Sequence, residues 1–104
     1  MIQSLLGTEL KINVHVEPIG EMHMSAYNFK CEFYVYSNRV VTIRKEQMRM
    51  VDDDNYIAML TSDMSKQLGR GDMHMVVTAE IPDADFEDGF RTEKQQVCVG
   101  VTIV

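Results

Sequence analysis

The chain has 104 residues, 45% of them hydrophobic and 25% charged, and it carries a formal net charge of −6. This length and composition suit one globular domain with one core. The negative charge argues against binding to nucleic acid or to an anionic membrane, because both need a basic surface. The N-terminus lacks a signal-peptide pattern, and no stretch reaches the roughly 20 apolar residues of a membrane span. We expect a single domain over residues 1–104, located in the cytoplasm or in a virion or other particle released by lysis.

Alternation of apolar and polar residues predicts about seven short β-strands. Such alternation is typical of strands with one face in the core and one in solvent. The turn residues between the strands are spaced as in a β-sandwich. The strands are expected at residues 9–16, 26–36, 40–44, 47–51, 56–61, 72–81 and 92–104.

One short helix is predicted between the fifth and sixth of these strands. Ser62 is expected to cap its N-terminus, and Asp63 suits its first turn. Gly69 is expected to end the helix in a left-handed conformation, and Gly71 to lead into the next strand. The predicted fold is therefore an all-β, immunoglobulin-like antiparallel sandwich of about seven strands, with a helical crossover near residues 62–69.

The two cysteines are not expected to pair. Cys31 is in phase with Phe33 on an inward face, whereas Cys98 is out of phase with the inward Val97. Side chains alternate across a strand, so the two sulfur atoms should lie on different sides. Two thiols are therefore favoured over a disulfide.

No enzyme motif is present in the sequence. It contains no Gly-x-Ser-x-Gly elbow, phosphate loop or His-Glu-x-x-His motif. Met-His-Met occurs at residues 22–24 and 73–75, and thioethers favour copper(I). In a strand, however, Met73 and Met75 face away from His74, so the three cannot bind one ion. We expect no catalytic residue, no cofactor and no resident metal.

The loop after Pro82 alternates carboxylates with other residues, which is a weak calcium pattern. It departs from the EF-hand, because Asp88 occupies the glycine position and Lys94 the position of the last glutamate. A solvated acidic loop is one interpretation. The alternative is a ligand-binding module for carbohydrate or calcium that uses residues 82–90. The candidate ligand-binding residues are Asp83, Asp85, Glu87 and Asp88.

Tyr34 and Tyr36 are expected on the outward face of the second strand, in phase with Lys30 and Glu32. Exposed aromatic residues are enriched at protein interfaces. The alternative is that another segment of the chain covers this face. If it is exposed, Tyr34 and Tyr36 should contact a protein partner or a second copy of the chain.

Residues 68–93, LGRGDMHMVVTAEIPDADFEDGFRTE, resemble the small β-sandwich modules of phage and prophage tail or baseplate proteins. The nearest such family is the N-terminal domain of baseplate upper proteins. The shared features are a strand ending at Leu60-Thr61, a short helix closing on Gly69-x-Gly71, a long strand and an Ile-Pro-Asp loop. The resemblance implies a non-enzymatic structural or adaptor module that acts by protein–protein contact in a phage-derived particle.

Overall fold

The computed structural model describes residues 2–104, and the side chain of Cys98 lies outside this description. It contains eight strands, one α-helix and two short 3₁₀ turns, at Met24–Ala26 and Lys45–Gln47. The other elements are β1 (Ile2–Ser4), β2 (Leu10–His15), β3 (Asn28–Tyr34), β4 (Val40–Arg44), β5 (Arg49–Asp52), β6 (Asn55–Leu60), α1 (Ser62–Leu68), β7 (Gly71–Pro82) and β8 (Phe90–Ile103).

The described strands form two sheets that enclose the core. One has five strands in the order β1-β8-β7-β3-β4, and the other has three in the order β2-β6-β5. Neighbouring strands are antiparallel, except that β1 runs parallel to β8. This order matches an immunoglobulin-like sandwich, with β8-β7-β3-β4 in the places of strands G, F, C and C′. The predicted fold class is confirmed, with β1 as an additional strand.

Alternation along the strands builds the core between the sheets. Phe29 on β3 meets Tyr56 on β6 edge to face, with ring centroids 5.1 Å apart, and so joins the two sheets. Such a pair contributes about 0.5–1.5 kcal/mol beyond its burial. Cys31 is a buried free thiol, as predicted, and the expectation for Cys98 concerns a side chain outside the description. Other buried strand residues are Ile12, Val14, Phe33, Val41, Ile43, Ala58, Leu60, Met73, Met75, Val77, Ala79, Ile81, Val101 and Ile103.

The crossover helix α1 lies at one end of the sandwich. Its N-cap is Thr61, whose hydroxyl accepts a hydrogen bond from the Met64 amide at 3.3 Å, so the expectation that Ser62 is the cap was wrong by one residue. Gly69 ends the helix with φ of +84°. Within the described chain, no helix has the length and apolar character needed to cross a membrane.

Several strand boundaries differ from those predicted, and the second predicted strand, 26–36, spans only Asn28–Tyr34. The fourth predicted strand, 47–51, begins only at Arg49, because a 3₁₀ turn occupies Lys45–Gln47. The final strand contains an irregularity near Gly100, where the pairing with β7 shifts register between Asp72 and His74. Bulges of this kind increase the local twist of a sheet.

Candidate functional site

The outer face of the five-stranded sheet carries a small apolar group where β3 ends and the edge strand β4 begins. Outward positions of a half-buried sheet are usually polar, as at Thr42 on β4. Tyr34 on β3, however, lies opposite Val40 on β4 and His74 on β7. Val76 is the next outward residue of β7. We call Tyr34, Val40, His74 and Val76 the Tyr34 face.

The aromatic part of the Tyr34 face is held in place by stacking. The rings of Tyr34 and His74 have centroids 5.2 Å apart and an interplanar angle of 28°. Val40 beside them is 38% exposed. A shallow hollow of about 360 Å³ lies over this face, with Glu32 and Lys94 among its lining residues. Because the stacked rings are already ordered, a partner that covers them loses little side-chain entropy.

Tyr36 lies in a different environment from Tyr34. β3 ends at Tyr34, and the chain bends and turns over residues 35–38. The Tyr36 hydroxyl donates to the backbone oxygen of Arg70 at 3.1 Å. The Arg39 guanidinium lies 5.9 Å from the centroid of the same ring, in cation–π range. The structure thus places the two tyrosines, expected on one patch, in two separate sites.

Tyr36 lines an open pocket of about 550 Å³ at the end of the sandwich where α1 leads into β7. Three cationic side chains line it: those of Arg39, Lys66 and Arg70. Among the ion pairs of the described residues, none involves these three cations. Lys66 and Arg70 also lie near the C-terminal end of α1, where cations are favourable. We call this site the basic pocket; its lining is Leu6, Tyr36, Asn38, Arg39, Lys66, Gly69 and Arg70.

The candidate ligand-binding loop is an ordered turn that joins β7 to β8. The Asp83 amide donates to the Gly89 carbonyl at 2.8 Å, and the Gly89 amide donates to the Phe86 carbonyl at 2.9 Å. Gly89 has φ of +82°, a conformation that glycine adopts without strain. Backbone hydrogen bonds therefore close the loop.

Asp83 maintains the shape of this loop. Its carboxylate accepts hydrogen bonds from the Asp85 amide and from the Arg91 guanidinium, both at 3.0 Å. Arg91 also pairs with Glu93 at 2.9 Å. The hydrogen bond from the Asp85 amide, followed by that from Arg91, lowers the pKa of Asp83. Asp83 is thus committed to contacts within the domain.

The remaining carboxylates of the loop face solvent. Asp88 accepts a hydrogen bond from the Phe90 amide at 3.1 Å. For Asp85, Glu87 and Asp88, the described residues provide no ion pair. Phe86 and Phe90 are 51% and 46% exposed. We call residues 83–90 the acidic tip.

The described residues contain no group of three or more His, Cys, Asp or Glu placed to hold a metal ion.

Near β5, His23 Nδ1 lies 2.6 Å from Asp54 Oδ2, and this hydrogen bond raises the pKa of His23. The adjacent Ser25 hydroxyl donates to Asp53 at 2.9 Å rather than to the histidine. Burial raises the pKa of Cys31 to about 12, which suppresses its reactive thiolate. The His23–Asp54 and Ser25–Asp53 hydrogen bonds attach the loop before β3 to the β5–β6 turn.

Sequence reasoning did not identify the basic pocket. Lys66 and Arg70 flank the predicted helix end at Gly69, and their closeness in sequence was the one available signal for this site. Arg39 comes from the β3–β4 connection, and only the tertiary structure brings it to the same pocket.

Comparison of the chain with protein-family models, with curated proteins and with solved structures finds no match in any of the three. Function is therefore inferred from the geometry of the Tyr34 face, the basic pocket and the acidic tip.

Proposed function

We propose that this domain is a non-enzymatic structural or adaptor module that acts by protein–protein contact, with the Tyr34 face as its docking surface. One observation carries the proposal: apolar side chains gather on the outward side of three adjacent strands, where alternation otherwise favours polar residues. A partner would cover this centre and leave Glu32 and Lys94 at the rim. An apolar centre with a polar rim is the usual anatomy of a protein interface.

A second copy of the domain is the first partner to test. The rim of the Tyr34 face carries both signs of charge, with the Lys30 ammonium 3.9 Å from the Glu32 carboxylate and Lys94 nearby. In a two-fold contact the same patch meets itself, so each cation can lie opposite a carboxylate of the other copy. A component of a phage-derived particle, as the sequence resemblance implies, would use such a contact to pair with a second copy in the particle.

The experiment is a comparison of Val76→Lys with Thr92→Lys by light scattering over a concentration series. Val76→Lys places a charge among the apolar side chains of the Tyr34 face, and a contact must then desolvate that charge. Thr92→Lys adds the same charge on the outward side of β8, opposite Glu80 and away from that face. We expect the wild type and Thr92→Lys to pair through the Tyr34 face and Val76→Lys to lose this pairing, which lowers its mean mass. Equal masses for the two variants would refute a contact through the Tyr34 face.

A ligand-binding module that uses residues 82–90 is the second hypothesis. The observation in its favour is that two exposed aromatic rings, Phe86 and Phe90, lie beside the solvent-facing carboxylates of Asp85 and Glu87. A ligand that binds only the folded state raises the unfolding temperature. Thermal unfolding with calcium, with magnesium and with soluble glycans tests this hypothesis, and unchanged unfolding temperatures would reject it.

A further inference from the structure

The basic pocket and the acidic tip lie at opposite ends of the long strand β7. Gly71 begins β7 directly after Arg70 of the basic pocket, and Pro82 ends it directly before the acidic tip. The strand has 12 residues, which at about 3.3 Å per residue span roughly 40 Å. The longest dimension of the molecule is 45 Å. The two charged sites are therefore too far apart to satisfy each other within one copy.

The basic pocket has cations to offer a negatively charged partner. The described residues provide no ion pair for Arg39, Lys66 or Arg70, although the chain as a whole has a net charge of −6. Arginine guanidinium groups present paired donors that match carboxylate oxygen atoms. Tyr36 adds an aromatic wall whose hydroxyl is already bonded to the Arg70 backbone. The pocket thus combines carboxylate-binding groups with an apolar surface.

The acidic tip has the complementary chemistry and an accessible shape. The pairing of β3 with β7 ends at Glu80, so beyond it β7 and β8 pair only with each other. The tip extends from this end of the sheet and presents the carboxylates of Asp85 and Glu87 on either side of Phe86. The Phe86 ring is 51% exposed.

We propose that the acidic tip of one copy docks into the basic pocket of the next copy, which produces a head-to-tail assembly. Carboxylates of the tip accept hydrogen bonds from the guanidinium groups of Arg39 and Arg70, and Phe86 packs against Tyr36 of the receiving copy. The pocket volume of about 550 Å³ accommodates these side chains. The contact uses no residue of the Tyr34 face and is independent of the function proposed for that face.

A contact between two different surfaces of identical copies leaves an unfilled tip at one end of the assembly and an unfilled pocket at the other. Such a heterologous contact builds an open chain unless its rotation closes a ring. The mean mass should therefore grow with concentration, whereas a contact through the Tyr34 face stops at a dimer. The ion pairs of the tip-to-pocket contact are exposed at their edges. The increase of mean mass with concentration should therefore be strong at about 10 mM salt and weak at about 1 M salt, where the Debye length is only about 3 Å.

Two charge reversals test the proposal. Asp83 is paired with Arg91, so Asp85→Lys with Glu87→Lys changes the charge of the three unpaired tip positions, 85, 87 and 88, from −3 to +1. The two changes spare the hydrogen bonds made by the Asp83 and Asp88 carboxylates. Lys66→Glu with Arg70→Glu makes the pocket acidic and leaves the Arg39–Tyr36 stacking in place. Each variant then has a tip and a pocket of the same sign, so we expect its self-association to weaken by roughly tenfold or more.

A mixture of the two variants provides the decisive measurement. The basic tip of the first variant fits the acidic pocket of the second, and the acidic tip of the second fits the basic pocket of the first. Light scattering of the equimolar mixture should therefore recover the growth in mass that each variant loses alone. Misfolded variants would not recover assembly on mixing, and cooperative thermal unfolding of each variant checks folding separately.

The control is Glu21→Lys with Glu46→Lys, which changes the net charge by the same amount as the tip reversal at two other exposed glutamates. It should assemble like the wild type. A wild type whose mass does not grow at low salt would overturn the proposal, as would a mixture that stays monomeric or a control that loses as much association as the tip reversal. A dimer that is unaffected by both reversals but dissociated by Val76→Lys would assign self-association to the Tyr34 face alone.

Discussion

Gly71, at the junction of the basic pocket and β7, should tolerate no side chain. Its φ is +141°, which non-glycine residues rarely adopt, and an added Cβ would lie 2.7 Å from Cγ1 of Val35. Gly20 has φ of +62°, but a Cβ there would meet no atom within 4 Å. Comparison of Gly71→Ala with Gly20→Ala therefore contrasts a crowded, strained position with an open one in the left-handed region.

The expected loss for Gly71→Ala follows from three contributions. Backbone strain costs about 1–3 kcal/mol, and forcing extra atoms into a packed site costs about 1–3 kcal/mol. Reduced freedom of the unfolded chain offsets about 0.4–1 kcal/mol. We expect a net decrease of about 3 kcal/mol in the free energy of unfolding for Gly71→Ala and about 1 kcal/mol for Gly20→Ala. For a domain of this size, the larger loss lowers the unfolding temperature by roughly 12–24 °C.

Urea unfolding of both variants measures the difference between their losses of unfolding free energy. The same substitution in a Val35→Ala background tests the cause of that difference. Val35→Ala removes the Cγ1 atom that an alanine at residue 71 would contact. In that background, the loss of unfolding free energy caused by Gly71→Ala should be smaller by about 1–3 kcal/mol, because the steric contribution is removed. Equal losses for Gly71→Ala and Gly20→Ala, or an unchanged cost in the Val35→Ala background, would refute the argument.

Two further predictions concern the loop before β3. The hydrogen bond to Asp54 raises the pKa of His23 above 6.5, so the stability that this contact contributes is present at lower pH and is lost as the pH rises through the folded-state pKa. Asp54→Asn should lower the His23 titration midpoint measured by NMR, and an unchanged midpoint would contradict the contact. Lys45 Nζ donates to the carbonyl oxygen atoms of Met24, Ser25 and Tyr27 at 3.2, 3.1 and 2.7 Å. Lys45→Met should lower the free energy of unfolding by about 2 kcal/mol in urea titrations, and a loss below about 0.5 kcal/mol would contradict this role.

The strands and their inward faces could be predicted because each strand alternates apolar and polar residues. β1 was missed because its pairing with β8 is parallel and only three residues long, Ile2–Ser4, which is too short for a periodic signal. The prediction of the N-cap was wrong by one residue, because Thr61 and Ser62 both have side chains that can cap a helix. Local sequence does not decide between two adjacent residues of similar capping ability.

The candidate sites were less predictable, because they depend on how distant residues meet. Strand parity placed Tyr34 and Tyr36 on one face, but the strand ends at Tyr34 and the bend after it directs Tyr36 towards Arg70. The neighbours of Tyr34, Val40 and His74, follow from sheet register, which strand parity alone does not supply. The resemblance to phage baseplate modules stays a prediction.

The two proposed contacts differ in symmetry, and this difference gives their combination a distinct outcome. A two-fold contact through the Tyr34 face closes after one partner, whereas the tip-to-pocket contact continues along the chain. If both form, head-to-tail chains associate in pairs. Val76→Lys should then leave single chains with half the mass per unit length, and Asp85→Lys with Glu87→Lys should leave isolated dimers. Electron microscopy of the wild type and these variants distinguishes the two products, and identical assemblies from both would show that the contacts are not separate.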